Sequence, residues 1–296
     1  MLEYFIGHGF APLVVSNIPL NDEALNRLAQ RSWRIIQRPN FGYDFGAYRS
    51  GVLYMSRALQ NLDQLVLIND SAWFPLPGGR DWLNDVASLR LDYTSAATSY
   101  GYKPVNPHNY REIRWHFDEF RRHFHYCSYA LAIAPSILKD PGFLKYWESF
   151  PLTNQKNRVV RRGEMGLTKW VISRGYSHGS TLNDSPLQRQ LLALPAPKVR
   201  HILETSIYLE PKHDSIRDTL LNSYQRSYQW RKDAISLILT TVARYGISYT
   251  LADELVAHGF PFLKKSPAHL NPEASQRLLS ITKSLADKGA PWIHEE

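Results

Sequence analysis

The sequence predicts an α/β fold, with a mostly parallel sheet flanked by helices and a helical C-terminal region. Three observations point there. Strand-like and helix-like stretches alternate in the order β-α-β-α-β up to residue 68, the pattern of a parallel sheet with right-handed crossovers. The chain has 296 residues, with a hydrophobic fraction of 44% and a charged fraction of 21%, as in a globular protein with a substantial core. From Pro211 onward, apolar residues such as Ile216, Leu220, Leu221 and Tyr224 recur at helical spacing with few strand signals.

The elements follow in order. Residues 2–10 read as the end of a helix and residues 12–16 (PLVVS) as a short buried strand. Asn21 and Asp22 cap a helix carrying Leu25, Leu28 and Ala29. Residues 33–37 form the next strand, 45–59 a helix and 64–68 a third strand. A proline- and glycine-rich loop at 75–79 leads to a short helix at 82–86 and a strand of small residues at 93–99. Residues 100–116 are irregular, 126–133 strand-like, 136–150 helical and 164–174 helical up to Gly175. Residues 180–197 read as a loop, and residues 260–265 (FPFLKK) as a basic turn within the helical C-terminal region.

Composition narrows the function classes. The formal net charge of +8 favours anionic partners. The basic residues do not form a recognisable nucleic-acid motif, so nucleic acid is not expected as a partner. The single cysteine, Cys127, allows no intrachain disulfide and fits a reducing compartment. There is no CxxC or HExxH zinc pattern and no GxSxG hydrolase elbow. With no window of about 18 apolar residues, the chain is expected in the cytoplasm. Contact with the inner face of a membrane would come through Lys264, Lys265 and neighbouring aromatics.

The most informative run is RPNFGYDFGAY at residues 38–48. Gly42 and Gly46 let a backbone turn sharply and approach a ligand, and a helix N-terminus offers free N–H groups to phosphate. Arg38 can pair with phosphate and Asn40 lies at the turn. Asp44 either accepts hydrogen bonds from a ribose, sugar or base, or simply caps the helix. The third strand ends in Asn69, Asp70 and Ser71, and a carboxylate there either holds Mg²⁺ or Mn²⁺ against a diphosphate or makes turn hydrogen bonds. Ligands of open α/β sheets bind at this strand edge, so the two acidic sites suggest a phosphorylated, nucleotide-linked substrate. Glu164, in the first turn of its helix, either acts as a general base or complements the helix dipole. His125 opens a strand-like run that includes Tyr129, and a lone histidine there serves an acceptor or a structural role.

Taken in order, these segments resemble the rhamnan synthesis F family, glycosyltransferase-like proteins of bacterial cell-surface polysaccharide assembly. The family's N-x-G-x-D-F-G turn is matched by Asn40, Gly42, Asp44, Phe45 and Gly46, and its N-D-S strand end by Asn69, Asp70 and Ser71. Its H-x-x-S-Y strand is matched by His125, Ser128 and Tyr129. Its Y-E-x-G-L helix is matched by Glu164, Gly166 and Leu167, with Gly163 in place of the aromatic. Its G-F-P-F-x-K segment and following N-P are matched by Gly259, Phe260, Pro261, Phe262, Lys264, Asn271 and Pro272.

The resemblance implies a GT-A-like, Rossmann-related sheet in residues 1–200 that binds a nucleotide-sugar, with a helical region over 201–296. It implies a dTDP-rhamnose-like donor, a lipid-linked glycan acceptor, Mg²⁺ or Mn²⁺ at Asp70 as a possible cofactor, and an inverting transfer. Asp70 and Glu164 are the expected catalytic residues. Arg38, Asn40, Gly42, Asp44, Gly46, Asn69 and Ser71 are the expected donor contacts. Family members carry a further strand and an H-x-D loop ahead of the helix matched by residues 2–10. The chain is therefore expected to lack the sheet's first strand, which uncovers an edge. That departure, the single acid at Asp70 and the glycine at 163 motivate the alternative of a non-catalytic partner subunit in a polysaccharide assembly complex.

Overall fold

The computed structural model describes residues 1–101 and 107–287. Part of the irregular stretch expected at 100–116, residues 102–106, lies outside the described residues. The fold is mixed α/β with small sheets. The chain divides into two compact units whose segments alternate along the sequence.

The first unit comprises Met1–Asn69, Val86–Ser95 and Tyr126–Gly179. The strands Leu13–Ser16 and Arg34–Gln37 pair in parallel, Leu13 opposite Arg34. The helix Asp22–Ala29 connects them. Asn21 caps it as expected, its Oδ1 accepting from the Ala24 N–H at 2.8 Å. The helix Tyr43–Tyr54 follows and packs on the strand Leu13–Ser16 and the helix Pro141–Ser149.

The expected mostly parallel sheet is not what forms. Leu65–Ile68 pairs antiparallel with Ala130–Ile133, and Tyr93–Ser95 pairs antiparallel on the other side of that strand. The strand order of this four-stranded sheet is Leu65–Ile68, Ala130–Ile133, Tyr93–Ser95, His178–Ser180. The β-α-β-α-β alternation identifies the elements but not their partners. A strand from some 60 residues downstream is free to enter in either direction, since the crossover rule binds only consecutive parallel strands. Ala130–Ile133 is buried at every position, as the central strand of a sheet covered on both faces should be.

The core of this unit is aromatic. Phe45 is fully buried and stacks on Trp147 at 5.8 Å and Phe150 at 5.5 Å between ring centroids. The helix expected at 136–150 is two helices, Pro135–Leu138 and Pro141–Ser149. Pro141 cannot continue a helix but suits its first turn, and Asp140 caps that turn by accepting from the Gly142 N–H at 2.7 Å. The strand-like runs at 93–99 and 126–133 are each interrupted, giving Tyr93–Ser95 with Thr98–Ser99, and His125–Tyr126 with Ala130–Ile133.

The second unit comprises Asp70–Asp85, Ala96–His125 and Ser180–Glu296, so it takes in the helical C-terminal region together with earlier segments. Its core surrounds the helix Tyr228–Tyr245, whose Trp230, Ile235, Leu237, Ile238 and Val242 are all buried. Every residue from 233 to 242 is buried, polar Asp233, Ser236, Thr240 and Thr241 included, so the helix lies inside a bundle. Ala196–Thr205 and Pro211–Asn222 pack against it. The loop expected at 180–197 instead contains the helix Leu187–Ala193 and the start of Ala196–Thr205. Pro186 and Pro195 sit just ahead of these helices, where a missing N–H costs nothing.

The basic turn expected at 260–265 is instead partly a strand. Leu263–Lys264 pairs antiparallel with Ala72–Trp73. Phe260 and Phe262 are buried, Phe262 stacking on Phe74 at 4.3 Å. Lys264 is only 7% exposed and its Nζ donates to the Ser71 Oγ at 2.7 Å. Phe260, Phe262 and Lys264 face the interior, so these three do not contribute to the lipid-facing patch expected there, while Lys265 is half-buried. Among the described residues, no helix is long and apolar enough to cross a membrane.

Candidate functional site

The turn at 38–46 is latched from both sides. The Arg38 guanidinium donates through Nη1 to the Asn17 Oδ1 at 2.5 Å and through Nη2 to the Phe41 carbonyl at 2.6 Å. Gly42 adopts φ +88°, the left-handed region that glycine enters freely. Its N–H donates to the Asn154 Oδ1 at 3.1 Å, and the Tyr43 hydroxyl donates to the Asn154 carbonyl at 3.0 Å. A Cβ on Gly46 would lie 2.3 Å from the Phe41 carbonyl oxygen and 2.9 Å from the Arg38 Nη2. Gly46 is therefore required for the close approach of the turn to its own helix. Arg38, expected to meet phosphate, spends two donors on the turn. Asn40 is exposed.

Asp44 lies in the first turn of the helix Tyr43–Tyr54 and is the hub of a polar network. Its Oδ1 accepts from the Phe45 N–H at 3.0 Å. Its Oδ2 accepts from the Ser128 hydroxyl at 3.0 Å and the Asn69 Nδ2 at 3.3 Å. One turn along the helix, the buried Tyr48 hydroxyl donates to the Ser128 carbonyl at 2.8 Å. Asn69 is held in turn by its own N–H, which donates to the Tyr129 carbonyl at 3.1 Å. The expected residues Asp44 and Asn69 thus meet, and Tyr129 contributes through its backbone.

Glu164 begins the helix Glu164–Ser173 and joins this site electrostatically. Burial raises the Asp44 carboxyl above the usual carboxylate range and the Glu164 charge raises it further, outweighing the Ser128 hydroxyl and the backbone N–H groups that favour the ion. Tyr48 is pushed up well beyond its ordinary value by burial, then by the charges of Asp44 and Glu164. The glycine at 163 now has a steric reason. A Cβ there would lie 2.7 Å from the Phe45 ring, so Phe45 fills the space that a side chain at 163 would need.

The remaining expected residues fall in the second unit. Asp70 is exposed. Ser71 accepts the Lys264 ammonium and its carbonyl accepts from the Lys265 N–H at 3.0 Å, fixing the strand pair there. His125 pairs its Nδ1 with the His123 carbonyl at 2.8 Å, a local turn contact. Asp70 belongs to no cluster of three potential metal-ligating side chains among the described residues; such a cluster forms at His201, Asp253 and Glu254. One exposed carboxylate is a poor donor set for a hard cation that takes six or more oxygens, so Asp70 by itself does not fit Mg²⁺ or Mn²⁺.

Ser128, Tyr48, Asn17 and Asn154 complete the site beyond the residues expected to bind. Ser128 stands in the H-x-x-S-Y block, and Tyr48 lies four residues after Asp44 on one helix face, so both carried a signal. Asn17 and Asn154 are loop residues with no pattern around them.

No solved structure matches the chain. The "Uncharacterized protein y4gN" of Sinorhizobium fredii (strain NBRC 101917 / NGR234) is 28% identical over 203 residues, covering 69% of this chain and 49% of that protein. The chain thus spans about half the length of the curated relative it matches. The profile of rhamnan synthesis protein F matches residues 13–203. That stretch includes the latched turn, the Asp44 network and Glu164, and the chain belongs to the rhamnan synthesis protein F family.

Proposed function

We propose that the chain is a glycosyltransferase on a GT-A-like scaffold, moving a sugar from a nucleotide-diphosphate donor to a growing cell-surface polysaccharide. The observation that carries this reading is the latched turn with the hydrogen-bonded Asp44 carboxylate, on which the Glu164 charge acts, in a half-buried site. Carboxylates gathered at such a site are a recurrent source of acid–base function. The family's association with rhamnan supports a rhamnosyl donor such as dTDP-rhamnose and a lipid-linked glycan acceptor. That acceptor would place the reaction at the cytoplasmic face of a membrane.

In this reading the turn at 38–46 holds the donor and Asp44 accepts hydrogen bonds from its sugar or ribose hydroxyls. Glu164 is the base. It takes the proton of the acceptor hydroxyl as that oxygen attacks the anomeric carbon. The bond from the anomeric carbon to the diphosphate oxygen breaks, the nucleoside diphosphate leaves with the electron pair, and the configuration inverts. A lost general base reduces rate by about 10²–10⁴-fold. Glu164→Gln should therefore cut kcat by that order and leave donor affinity within a few-fold of the parent, measured by sugar transfer from dTDP-rhamnose. An unchanged kcat would remove Glu164 as base.

One observation favours the alternative of a non-catalytic partner subunit. The Asp44 carboxylate already accepts three hydrogen bonds from its own chain. On that reading the network is a structural node, and neither dTDP nor dTDP-rhamnose binds.

A further inference from the structure

We propose that the second unit carries a carbohydrate-binding cleft lined by Leu209, Glu210, Arg244, Tyr245, Tyr249 and Leu270, separate from the network around Asp44. The proposal rests on the polysaccharide reading above for the identity of the sugar, but not for the existence of the cleft. Its volume is about 460 Å³, within the range of small-ligand sites. All six residues lie in the second unit.

The chemistry of the lining is that of a sugar site. A pyranose presents an apolar face of C–H groups and a rim of hydroxyls. Tyr245 and Tyr249 offer aromatic rings, which combine an apolar body with a polar tip. Leu270, 53% exposed, and Leu209 provide an apolar wall. That wall suits the methyl group of a 6-deoxy sugar as well as a ring face. Glu210 and Arg244 supply the polar rim. The Arg244 Nη2 donates to the Glu210 Oε1 at 3.0 Å, and each side chain is 36% exposed. The pair is thus held in place yet open to solvent, with further guanidinium N–H groups able to donate.

A second observation is independent of the lining. His213, on the helix Pro211–Asn222, is 1% exposed, and neither ring nitrogen has a hydrogen-bond partner. Buried polar groups are nearly always paired, and an exception calls for an explanation. The imidazole stands edge-on to Tyr245, itself a lining residue, at 6.2 Å between centroids. Burial lowers its pKa and outweighs the Glu210 charge that acts the other way. Both ring nitrogens are thus left to be satisfied by a hydroxyl or a water beside Tyr245.

The test uses the full chain and four probes: an L-rhamnose trisaccharide, a glucose trisaccharide, dTDP and dTDP-rhamnose. Binding is followed by calorimetry and by the histidine ring signals in NMR. The expected result is saturable binding of the rhamnose trisaccharide with a shift of the His213 ring resonances. Tyr249→Ala and Arg244→Gln should each weaken that binding at least tenfold while leaving dTDP binding and the melting temperature near the parent values. The two variants are independent, so if one misfolds the other still decides. Failure of every oligosaccharide to bind, or equal binding in both variants, would overturn the cleft. If dTDP fails to bind while the trisaccharide does, the donor reading falls and the cleft stands. If dTDP-rhamnose binding weakens in the cleft variants, the cleft takes the donor's sugar; if only trisaccharide binding weakens, it takes a free glycan.

Discussion

Asp44 sits where burial and a neighbouring carboxylate both work against its charge. A carboxyl whose pKa is higher in the folded than in the unfolded chain favours folding while it is protonated. Its contribution to stability falls as pH rises from the ordinary carboxylate value through the raised one. Asp44→Asn should therefore raise the melting temperature at pH 7, with the gain fading below pH 4, while weakening donor binding. Thermal melts across pH 4–8 check this, and a variant less stable at pH 7 would contradict it. Asp184 behaves alike in the second unit: burial pushes its pKa up to about 6 against the hydroxyls of Tyr100 and Thr98. Fold stability should accordingly decline between about pH 4 and 6 from this residue, and Asp184→Asn should flatten that decline. At Gly46 the argument is steric. Gly46→Ala must displace the Phe41 carbonyl or the Arg38 guanidinium, and overpacking of this kind costs about 1–3 kcal/mol. Denaturant melts should show that loss. The glycines, Asp44 and the strand end at Asn69 were legible in the sequence because a strand-to-helix turn with two glycines admits few readings. The partnership of Asp44 with Ser128 was not, since 84 residues separate them and only the fold brings them together.

Helices and strands were mostly legible where a local signal marks their ends, as with Asn21 before Asp22–Ala29 and Asn271 before Pro272–Ala286. Their bounds differ at 136–150, where Pro141 starts a second helix, and at 180–197, where Pro186 and Pro195 each precede a helix. Strand direction was not legible, because Ala130–Ile133 enters between Leu65–Ile68 and Tyr93–Ser95 from far along the chain. The element with the clearest energetic signature is the helix Pro141–Ser149. Asp140 caps it and also receives the Arg174 guanidinium at 2.7 Å and the Tyr176 hydroxyl at 2.9 Å. Burial alone would raise this carboxyl, but the Gly142 N–H, Tyr176 and Arg174 hold it below the usual range. The sign is opposite to that of Asp44: its stabilisation is present above the ordinary carboxylate value and lost as pH falls. Asp140→Ala should cost about 1 kcal/mol or slightly more at pH 7, and the cost should shrink in acid. A loss that is the same at pH 3 and pH 7 would contradict it.

At the scale of the whole molecule the chain crosses between its two units five times, after residues 69, 85, 95, 125 and 179. Neither unit is one continuous segment, so each must be assembled from segments far apart in the chain. Calorimetric unfolding is expected as one cooperative transition, and two well-separated transitions would show the units to be independent. The positive balance of the chain is spread rather than clustered, which suits attraction of an anionic small molecule more than a nucleic-acid groove. If the turn at 38–46 and the Asp44 network form the proposed nucleotide-sugar site, calorimetric titration of the full chain with dTDP-rhamnose, with and without Mg²⁺, shows saturable binding. Asp44→Ala, in a folded variant, weakens that binding at least tenfold. No binding to the parent chain under either condition, or equal binding to Asp44→Ala, would contradict the proposed site.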